Sequence, residues 1–496
     1  MIFDPTMPPA GTVRDWLDAR AEVGGTAFVF PEGDPPLRWD EVRDKVRDMA
    51  TGIVALGAQK GESLAIVHPN GRDGVLALFA TLYAGCRATM INLAAGPTAI
   101  AYALEHSQAR FAFVHDSQAE TFREIAPAGL SPIASKDLPG GDVSLPDLGP
   151  DDHGLLMYTS GTTGTPKGVV HSHASLLAGG WTTAVAHDLT PEDRAFCVLP
   201  IYHINGLCVT LMGPLVSGGS TAVVSRFSAR KFWDQVNKAE ATWFSVVPTI
   251  ISHLLHGKAD PAAAVIDRLR FGRSASSALA KETQSAFEDR FGVPIIETMG
   301  LTETAAQVLS NPLPPGTRKI GSPGLAFGNE VCILTSDLQK AAPMQQGEIA
   351  IRGPNVMIEY LHNPEATSAT FHGDWLRTGD LGHIDKDGYV FVTGRLKELI
   401  IKGGENIAPR EIDEVLYSEP DIIEAAAFAR PCNSYGERVE AAVSIKPGSP
   451  LTEAALIEHC RNQLGDFKAP ERVHFLDELP KGPSGKIQRL KLAALL

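Results

Sequence analysis

The sequence predicts an α/β fold with a large multi-sheet N-terminal domain and a small α/β C-terminal domain. Three observations lead to this prediction: the chain has 496 residues, short β-branched runs alternate with amphipathic stretches, and a second compact pattern begins near residue 400. A chain of this length is too long for one compact core, so two or more domains are expected. We place them at residues 1–396 and 397–496.

The elements of the N-terminal part follow from their patterning. SLAIVHPN predicts a strand and GVLALFATLYAG a helix, LLMYTS and HSHASLLAGG repeat this order, and so do ATWFSVVPT and TIISHLLHGK. RLRFGRSA, ALAKETQSAFEDRFG and VPIIET predict strand, helix and strand, and PLPPGTRKIGSPG predicts a loop. Such alternation indicates a mostly parallel sheet arrangement whose faces are covered by crossover helices.

Two further segments complete the prediction. The longest uncharged stretch, from His203 to Arg226, is interrupted by Gly, Pro and Ser, so it predicts a buried strand–turn–strand and not a membrane span. After the junction GRLKELIIKGGENIAP, the helix PREIDEVLYSE, the strands IIEAAAFA and ERVEAAVSI, the helix TEAALIEHCRNQLG and the segment RVHFLDEL form the small C-terminal domain.

Composition limits the classes of partner and compartment. The formal net charge is -14 and no block of Lys or Arg is present, which argues against nucleic acid or an anionic membrane as the main partner. The N-terminus lacks a secretory signal pattern, and no CxxC pair occurs. We therefore predict reduced thiols in a cytoplasmic protein, at the following positions: Cys86, Cys197, Cys208, Cys332, Cys432 and Cys460.

The segment YTSGTTGTPKGVV, Tyr158 to Val170, predicts a phosphate-binding loop between two apolar elements. Glycines let backbone N–H groups turn inward as an anion-binding nest, and hydroxyls and a lysine add donors and charge. The order differs from the Walker A motif, because the lysine follows Thr-Pro and no Ser or Thr comes after it. The predicted ATP-binding residues of this loop are Thr159, Ser160, Gly161, Thr162, Thr163, Gly164 and Lys167.

Four shorter motifs follow in order. ETMGLTET offers Thr302 as a phosphate donor and Glu303 as a ligand for a magnesium ion that bridges phosphates. WLRTGDLGHID places Asp380 after a tight turn, where it can accept hydrogen bonds from a ribose. The third motif, GRLKELIIKGGEN, holds the charged and glycine residues Arg395, Lys397, Gly403 and Gly404, and the fourth, LPKGPSGKIQR, holds Lys486 on a glycine-rich turn.

These five motifs, in this order and over nearly the whole chain, resemble the adenylate-forming superfamily of acyl-CoA synthetases, luciferases and peptide-synthetase adenylation domains. The resemblance implies that the loop holds the ATP phosphates, that Thr302 and Glu303 contact the α-phosphate and Mg²⁺, and that Asp380 and Arg395 hold the ribose. It also implies that Lys486 is the catalytic lysine of a mobile C-terminal domain, which rotates about a hinge at Lys397.

The resemblance implies a two-step reaction with ATP and CoA as co-substrates. A carboxylate attacks the α-phosphorus of ATP, and the thiol of CoA then displaces AMP from the acyl adenylate. Positioned positive charge suits the first step, because an anion approaches a polyanion. KGGEN resembles the pattern of CoA ligases, in which Gly403 and Gly404 let pantetheine pass, so a ligase is favoured over a luciferase or a carrier-loading domain.

The acid is predicted from LPIYHINGL and FGRSASSALA, which the family places at the acyl pocket. His203 lines the pocket or is a structural histidine, and Arg273 binds a second anionic group or forms a structural salt bridge. The central third resembles the oxalyl-CoA synthetase branch, but Asn205 and Ala306 stand where that branch has histidines, and Met299 replaces an aromatic residue at the adenine site. Oxalate, malonate and sulfoacetate remain alternatives.

We therefore predict an AMP-forming ligase for a short anionic acid that takes small-molecule substrates. Two alternatives remain: a CoA ligase for an aliphatic or aromatic acid, and a nucleotide-binding protein without ligase activity. Intact Lys486 and Glu303 count against the second alternative.

Overall fold

The computed structural model describes residues 3–140, 143–159, 166–432, 434–482 and 486–496. Up to residue 159 the helices and strands are α1 (Val13–Val23), β1 (Thr26–Val29), β2 (Leu37–Arg38), α2 (Trp39–Ala55), β3 (Ser63–Val67), α3 (Arg72–Tyr83), β4 (Arg87–Met90), α4 (Pro97–His106), β5 (Phe111–Val114), α5 (Ala119–Ile125), β6 (Ser131–Ile133) and β7 (His153–Thr159). From residue 166 to 310 they are β8 (Lys167–Ser172), α6 (His173–Ala186), β9 (Arg194–Cys197), a π-helix (Asn205–Met212), α7 (Gly213–Ser217), β10 (Ser220–Val223), α8 (Phe232–Lys238), β11 (Trp243–Val246), α9 (Pro248–Leu255), α10 (Ala263–Arg268), β12 (Phe271–Ser274), α11 (Lys281–Phe291), β13 (Ile295–Leu301) and β14 (Ala306–Ser310).

The remaining elements follow the loop at residues 312–324. Up to residue 396 they are β15 (Leu325–Ala326), β16 (Glu330–Leu334), β17 (Gly347–Arg352), β18 (Glu359–Tyr360), α12 (Pro364–Thr370), β19 (Phe371–His372), β20 (Trp375–Ile384) and β21 (Val390–Arg395). Beyond it they are β22 (Ile400–Lys402), β23 (Glu405–Ile407), α13 (Pro409–Tyr417), β24 (Ile422–Cys432), β25 (Gly436–Ile445), α14 (Glu453–Leu464), β26 (Arg472–Phe475) and α15 (Arg489–Leu495).

Two large sheets confirm the predicted α/β class. Within the described ranges, nine strands pair in the order β15-β14-β13-β12-β11-β9-β10-β1-β2, and the run from β13 to β1 is parallel. Seven strands form the second sheet, β18-β8-β7-β4-β3-β5-β6, which is parallel from β7 to β6. Helices connect these parallel strands, as a crossover requires.

The prediction of mostly parallel sheets is wrong for a third sheet. Strands β16, β17, β19, β20 and β21 pair antiparallel throughout. Tight turns are enough to join antiparallel neighbours, and the β20–β21 connection is such a turn, with Gly388 N–H donating to Asp385. Antiparallel neighbours in the third sheet therefore need no crossover helix.

Helix α6 brings the two large sheets into one core. Ser172 caps its start by accepting a hydrogen bond from Ser175 N–H at 3.0 Å. Glycine at position 179 permits close approach to the turn after β13, because a Cβ there would lie 2.3 Å from the Ala305 carbonyl oxygen. The same hydrophobic cluster contains residues from both sheets, including Met157 and Ile296. Helix α6 thus sets the distance between the phosphate-loop hairpin and the Thr-Glu motif.

The predicted strand–turn–strand between His203 and Arg226 is wrong in its first half. The chain forms the π-helix Asn205–Met212 and then α7, and only Ser220–Val223 is a strand. Every residue from 205 to 217 is buried, so no polar face marks a helical period in the sequence. No helix within the described ranges is both long and apolar enough to cross a membrane.

The C-terminal elements form a sheet and core of their own. Strand order is β23-β22-β25-β24, with β26 parallel to β25, and the adjoining cluster includes Ile400, Ile412, Val443 and Leu456. The turn Leu396–Glu398 joins this unit to β21. The boundary between residues 396 and 397 stays a prediction.

Candidate active site

The phosphate-loop motif is the connection of a β-hairpin. Strands β7 and β8 pair antiparallel, and Thr159 at the end of β7 lies opposite Lys167 at the start of β8. The predicted ligands Ser160, Gly161, Thr162, Thr163 and Gly164 lie outside the described residues. The hairpin therefore brings the two described ends of the loop, Thr159 and Lys167, together.

Tyr360 joins Lys167 to Glu303. The Lys167 ammonium lies 4.5 Å from the centre of the Tyr360 ring, and the Tyr360 hydroxyl donates to Glu303 Oε1 at 2.7 Å. Burial and the Glu303 charge raise the pKa of Tyr360, so the hydroxyl keeps its proton. One tyrosine thus touches a residue of the loop and a residue of the Thr-Glu motif.

The Thr-Glu motif forms a tight 3-10 turn, Thr302–Thr304, at the end of β13. Its Thr302 carbonyl contacts His171 Nε2 at 2.7 Å, and His171 Nδ1 contacts Ser175 Oγ at 3.0 Å. Burial lowers the pKa of His171 to about 4, so at neutral pH the ring is uncharged and donates from Nε2. Together with the Thr304 hydroxyl, which accepts from Leu301 N–H at 3.0 Å, these contacts fix the turn.

Asp380, Arg395 and Lys486 lie together at the junction of the N- and C-terminal parts. Arg395 Nε is 3.2 Å from Asp380 Oδ1, and the two residues are opposite each other on β20 and β21. Asp380 was expected to follow a tight turn, but it lies inside β20, directly after Gly379 with φ 74°. Burial raises the pKa of Asp380, while Arg395 and Lys486 oppose that rise.

Lys486 belongs to the hairpin at the end of the C-terminal unit. Its carbonyl accepts from Gly482 N–H at 2.7 Å. Burial and the nearby Arg395 lower the pKa of its ammonium, and Asp380 acts against them. No carboxylate within the described ranges pairs with Lys486 at ion-pair distance. A partly desolvated ammonium without a close counter-ion is suited to bind phosphate oxygens.

Arg273 lies on β12 with only 1% of its surface exposed. Its Nη1 donates to Asn205 Oδ1 at 2.8 Å and to Ser245 Oγ at 3.0 Å, and its Nε donates to Gln307 Oε1 at 3.0 Å. Burial lowers its pKa to about 9, and no carboxylate of the described residues is among the charges that act on it. The guanidinium is therefore held by neutral groups.

The remaining predicted residues lie in three turns. His203 is half-buried in the turn before the π-helix, with its ring edge-on to Tyr202 at 5.1 Å. Gly403 and Gly404 form the exposed turn between β22 and β23, with φ of 59° and 86°, which glycine adopts without strain. Lys397 is exposed in the turn before β22.

Glu303 fits a magnesium ion. Its carboxylate is half-buried, and only Oε1 has a protein hydrogen bond among the described residues. No cluster of three candidate ligands occurs within these residues. Mg²⁺ is commonly held by one or two carboxylates with phosphate oxygens and waters, so a single carboxylate beside a phosphate loop is an adequate protein contribution.

Sequence reasoning missed Tyr360, Ser245 and Gln307. Tyr360 is 57 positions from Glu303, and Gln307 is 34 positions from Arg273, so no local spacing pairs them. A weak signal existed for Gln307, since it is a polar residue in a run that the structure buries completely.

Comparison with known proteins identifies the family of the chain. The family model "AMP-binding enzyme" matches residues 17–361, and "AMP-binding enzyme C-terminal domain" matches residues 411–486. The sulfoacetate–CoA ligase of Cupriavidus necator is 44% identical over 94% of this chain and 94% of its own length. The oxalate–CoA ligase of Arabidopsis thaliana is 35% identical over 90% and 91%.

The crystal structure of ATP-bound MatB from Rhodopseudomonas palustris is 28% identical and has a TM-score of 0.90, covering 98% of this chain and 99% of that one. These comparisons confirm the fold class and the predicted kind of enzyme, an ATP-dependent acid–CoA ligase. The chain belongs to the AMP-binding enzyme family.

Proposed function

We propose that this enzyme joins CoA to a short carboxylic acid that carries a second anionic group, with sulfoacetate as the first candidate. The observation that carries the proposal is the state of Arg273, a fully buried guanidinium held only by neutral hydrogen-bond partners. Burying a charge is strongly unfavourable unless an opposite charge compensates it. A bound anion supplies that charge. The segment FGRSASSALA, which contains Arg273, is predicted to line the acyl pocket, so the anion is the acid substrate.

The geometry around Arg273 supports this role over a structural one. Its Nε and Nη1 atoms are used by Gln307, Asn205 and Ser245, whereas no hydrogen bond from Nη2 to a described residue is present. Asn205 follows His203 by two positions, so the arginine lies beside the segment predicted to line the acyl pocket. We propose that Nη2 receives the distal sulfonate or carboxylate and that His203 lines the same pocket.

The 44% sequence identity with a protein named as a sulfoacetate–CoA ligase supports sulfoacetate over the other acids. A relative named as an oxalate–CoA ligase supports the wider class of short acids with two anionic groups. A pocket for an aliphatic or aromatic acid has no use for a buried arginine, which weighs against that alternative. The presence of both Lys486 and Glu303 weighs against a nucleotide-binding protein without ligase activity.

In the proposed first step, positive charge and hydrogen-bond donors surround the reacting phosphate. Lys486 and Lys167 face the predicted triphosphate site, Thr302 donates to the α-phosphate, and Asp380 and Arg395 hold the ribose. Mg²⁺ bound through Glu303 would neutralise phosphate charge. Such fixed charges stabilise the charge that develops when the carboxylate attacks phosphorus.

In the second step, the C-terminal unit turns about Lys397 and withdraws Lys486. The turn at Gly403 and Gly404 then lies along the path of pantetheine. Open space around Gly404, where an added Cβ would meet no atom within 4 Å, supports such a passage.

All six cysteines are outside disulfides, which supports the predicted cytoplasmic location.

A panel of acids tests the proposal. Purified enzyme with ATP, Mg²⁺ and CoA is given sulfoacetate, oxalate, malonate, acetate, octanoate or benzoate, and AMP release is measured. We expect the highest kcat/KM for an acid with two anionic groups. Activity confined to octanoate or benzoate would contradict the assigned role of Arg273.

A further inference from the structure

We propose that Glu398 and Arg489 are positioning residues that hold Lys486 and set its charge environment for the adenylation step. The inference rests on the proposed function, because it assumes that Lys486 acts on the α-phosphate. Glu398 lies in the motif GRLKELIIKGGEN and Arg489 in LPKGPSGKIQR, but neither residue has a role predicted from the sequence. Both residues take part in a network of partly buried ionic contacts next to the segment that carries Lys486.

Arg489 fastens this segment to the rigid part of the C-terminal unit. It is the first residue of α15, three positions after Lys486. Its Nη2 lies 2.6 Å from Asp413 Oδ2 and its Nη1 3.2 Å from Asp413 Oδ1, and Nη1 also donates to the Ala427 carbonyl. The side chains of Arg489 and Asp413 are only 16% and 12% exposed. A bidentate pair at this burial fixes both position and orientation.

Glu398 extends the network to the predicted hinge. Arg489 Nε lies 3.4 Å from Glu398 Oε2, and Glu398 directly follows Lys397 in the turn Leu396–Glu398. One guanidinium thus connects the hinge turn, helix α13 through Asp413, and strand β24 through Ala427. When the unit rotates about Lys397, this connection makes the Lys486 segment follow the turn as one body.

The other side of the segment is fixed by backbone hydrogen bonds. Gly482 N–H donates to the Lys486 carbonyl at 2.7 Å, and Gln488 N–H donates to the Pro480 carbonyl at 2.7 Å. These bonds define the stem of a hairpin but do not tie it to the rest of the unit. Two ties do so: at the N-terminal end Lys481 Nζ lies 2.6 Å from Glu424 Oε1 on β24, and at the C-terminal end, next to Lys486, Arg489 binds Asp413 and Glu398.

Glu398 and Arg489 also act on the Lys486 ammonium with opposite signs. The charged groups that face it are Asp380 on β20, Arg395 on β21, Glu398 in the hinge turn and Arg489 on α15. Asp380 and Glu398 raise the pKa of Lys486, whereas burial, Arg395 and Arg489 lower it.

The experiment compares the full-length variants E398Q and R489Q with wild type. Exchange of labelled pyrophosphate into ATP is measured from pH 7 to 10.5 with the most active acid of the panel, and thioester formation is measured separately from supplied acyl adenylate. We expect the exchange rate at its optimum to fall about tenfold or more in both variants, and thioester formation to change less than about threefold. The basic limb of the exchange profile should move about half a pH unit lower in E398Q and about half a pH unit higher in R489Q.

Two further variants protect the test. R489Q leaves Asp413 buried without a cation, so R489Q/D413N removes both charges and decides the matter if R489Q does not fold. R461Q is the matched control, because Arg461 is an exposed arginine of the same unit whose Nη1 and Nε lie 2.6 Å from Glu458 and Asp466. It should match wild type in both half reactions.

The inference is supported if the basic limbs of the E398Q and R489Q exchange profiles move in opposite directions and if both variants lose adenylation but keep thioester formation. Unmoved limbs with equal loss of both half reactions would overturn it and leave the proposed function standing. Absence of acid-dependent exchange in the wild-type enzyme would instead remove the proposed function, so the two failures are distinguishable.

Discussion

Replacing Arg273 by methionine tests whether the substrate is its counter-ion. Burial lowers the pKa of this guanidinium from above 12 to about 9. At about 1.4 kcal/mol for each pKa unit, the charged form loses about 5 kcal/mol on folding. A base with a lowered folded pKa carries this penalty in full below pH 9 and loses it as the pH rises toward 12, so at neutral pH the whole penalty is present.

Methionine removes that penalty but takes one hydrogen bond from each of three acceptors, of which Asn205 Oδ1 still accepts from Ser245 Oγ at 3.0 Å. Asn205, Ser245 and Gln307 each lose a hydrogen bond from Arg273, at about 1 kcal/mol apiece. The net change is then about 2 kcal/mol in favour of the variant. Removal of one partner from a buried ion pair, by contrast, destabilises by about 3–5 kcal/mol. We therefore expect apo R273M to melt within about 3 °C of wild type.

The activity of R273M with sulfoacetate, unlike its melting temperature, should change strongly. Loss of a charge-assisted contact to the distal anion should raise the KM for sulfoacetate about 100-fold, with little change for propionate. Steady-state AMP release and thermal melting, with and without sulfoacetate, measure both effects. Equal losses for the two acids, together with a strongly destabilised apo protein, would refute the reasoning and make the arginine structural.

Three other predictions concern the nucleotide site and stability. K486A should lower acid-dependent pyrophosphate exchange by about 100-fold or more but spare thioester formation from supplied acyl adenylate, because Lys486 is needed only for the first step; equal loss of both half reactions would contradict its role. Y360F deletes the hydroxyl that donates to Glu303 at 2.7 Å but keeps the ring beneath Lys167, so we expect pyrophosphate exchange to fall about tenfold and the half-saturating Mg²⁺ concentration to rise, with an unchanged melting temperature. An unchanged Mg²⁺ dependence in Y360F would contradict a role of the Tyr360 hydroxyl in Mg²⁺ binding. Wild-type melting temperature should fall as the pH drops from about 6.5 to 4, because burial lowers the folded pKa of several histidines and the unfolded chain then binds more protons. A flat melting profile over that range would contradict the buried state of these residues, whose pKa values are about 4, 4, 4 and 3 for His68, His171, His173 and His187.

Much of the fold was predictable because its periodic signals are local. The strand at Ser63–Val67, the helix at Arg72–Tyr83 and the helix at Lys281–Phe291 each carry their own pattern and turn signals. The segment from 205 to 217 carries none, since it is buried on every side and its π-helical turns have no polar face to reveal them. The antiparallel third sheet was missed because the sequence pattern of a short strand does not show whether it pairs parallel or antiparallel.

The candidate site divides in the same way. Glu303, Asp380 and Lys486 lie in motifs whose order is visible in the chain. The contacts of Arg273, in contrast, depend on residues brought together from β11, β14 and the π-helix, which only the folded chain defines. Whether Arg273 forms a structural salt bridge could not be decided from sequence, because packing alone determines that no carboxylate of the described residues lies against it.

The exchange of labelled pyrophosphate into ATP, measured with sulfoacetate and without CoA, tests the central claim most directly. The account predicts exchange that requires both the acid and Mg²⁺, that exceeds the rate with propionate, and that R273M selectively loses. Purified, folded enzyme that shows no acid-dependent exchange with sulfoacetate, oxalate or malonate would contradict it.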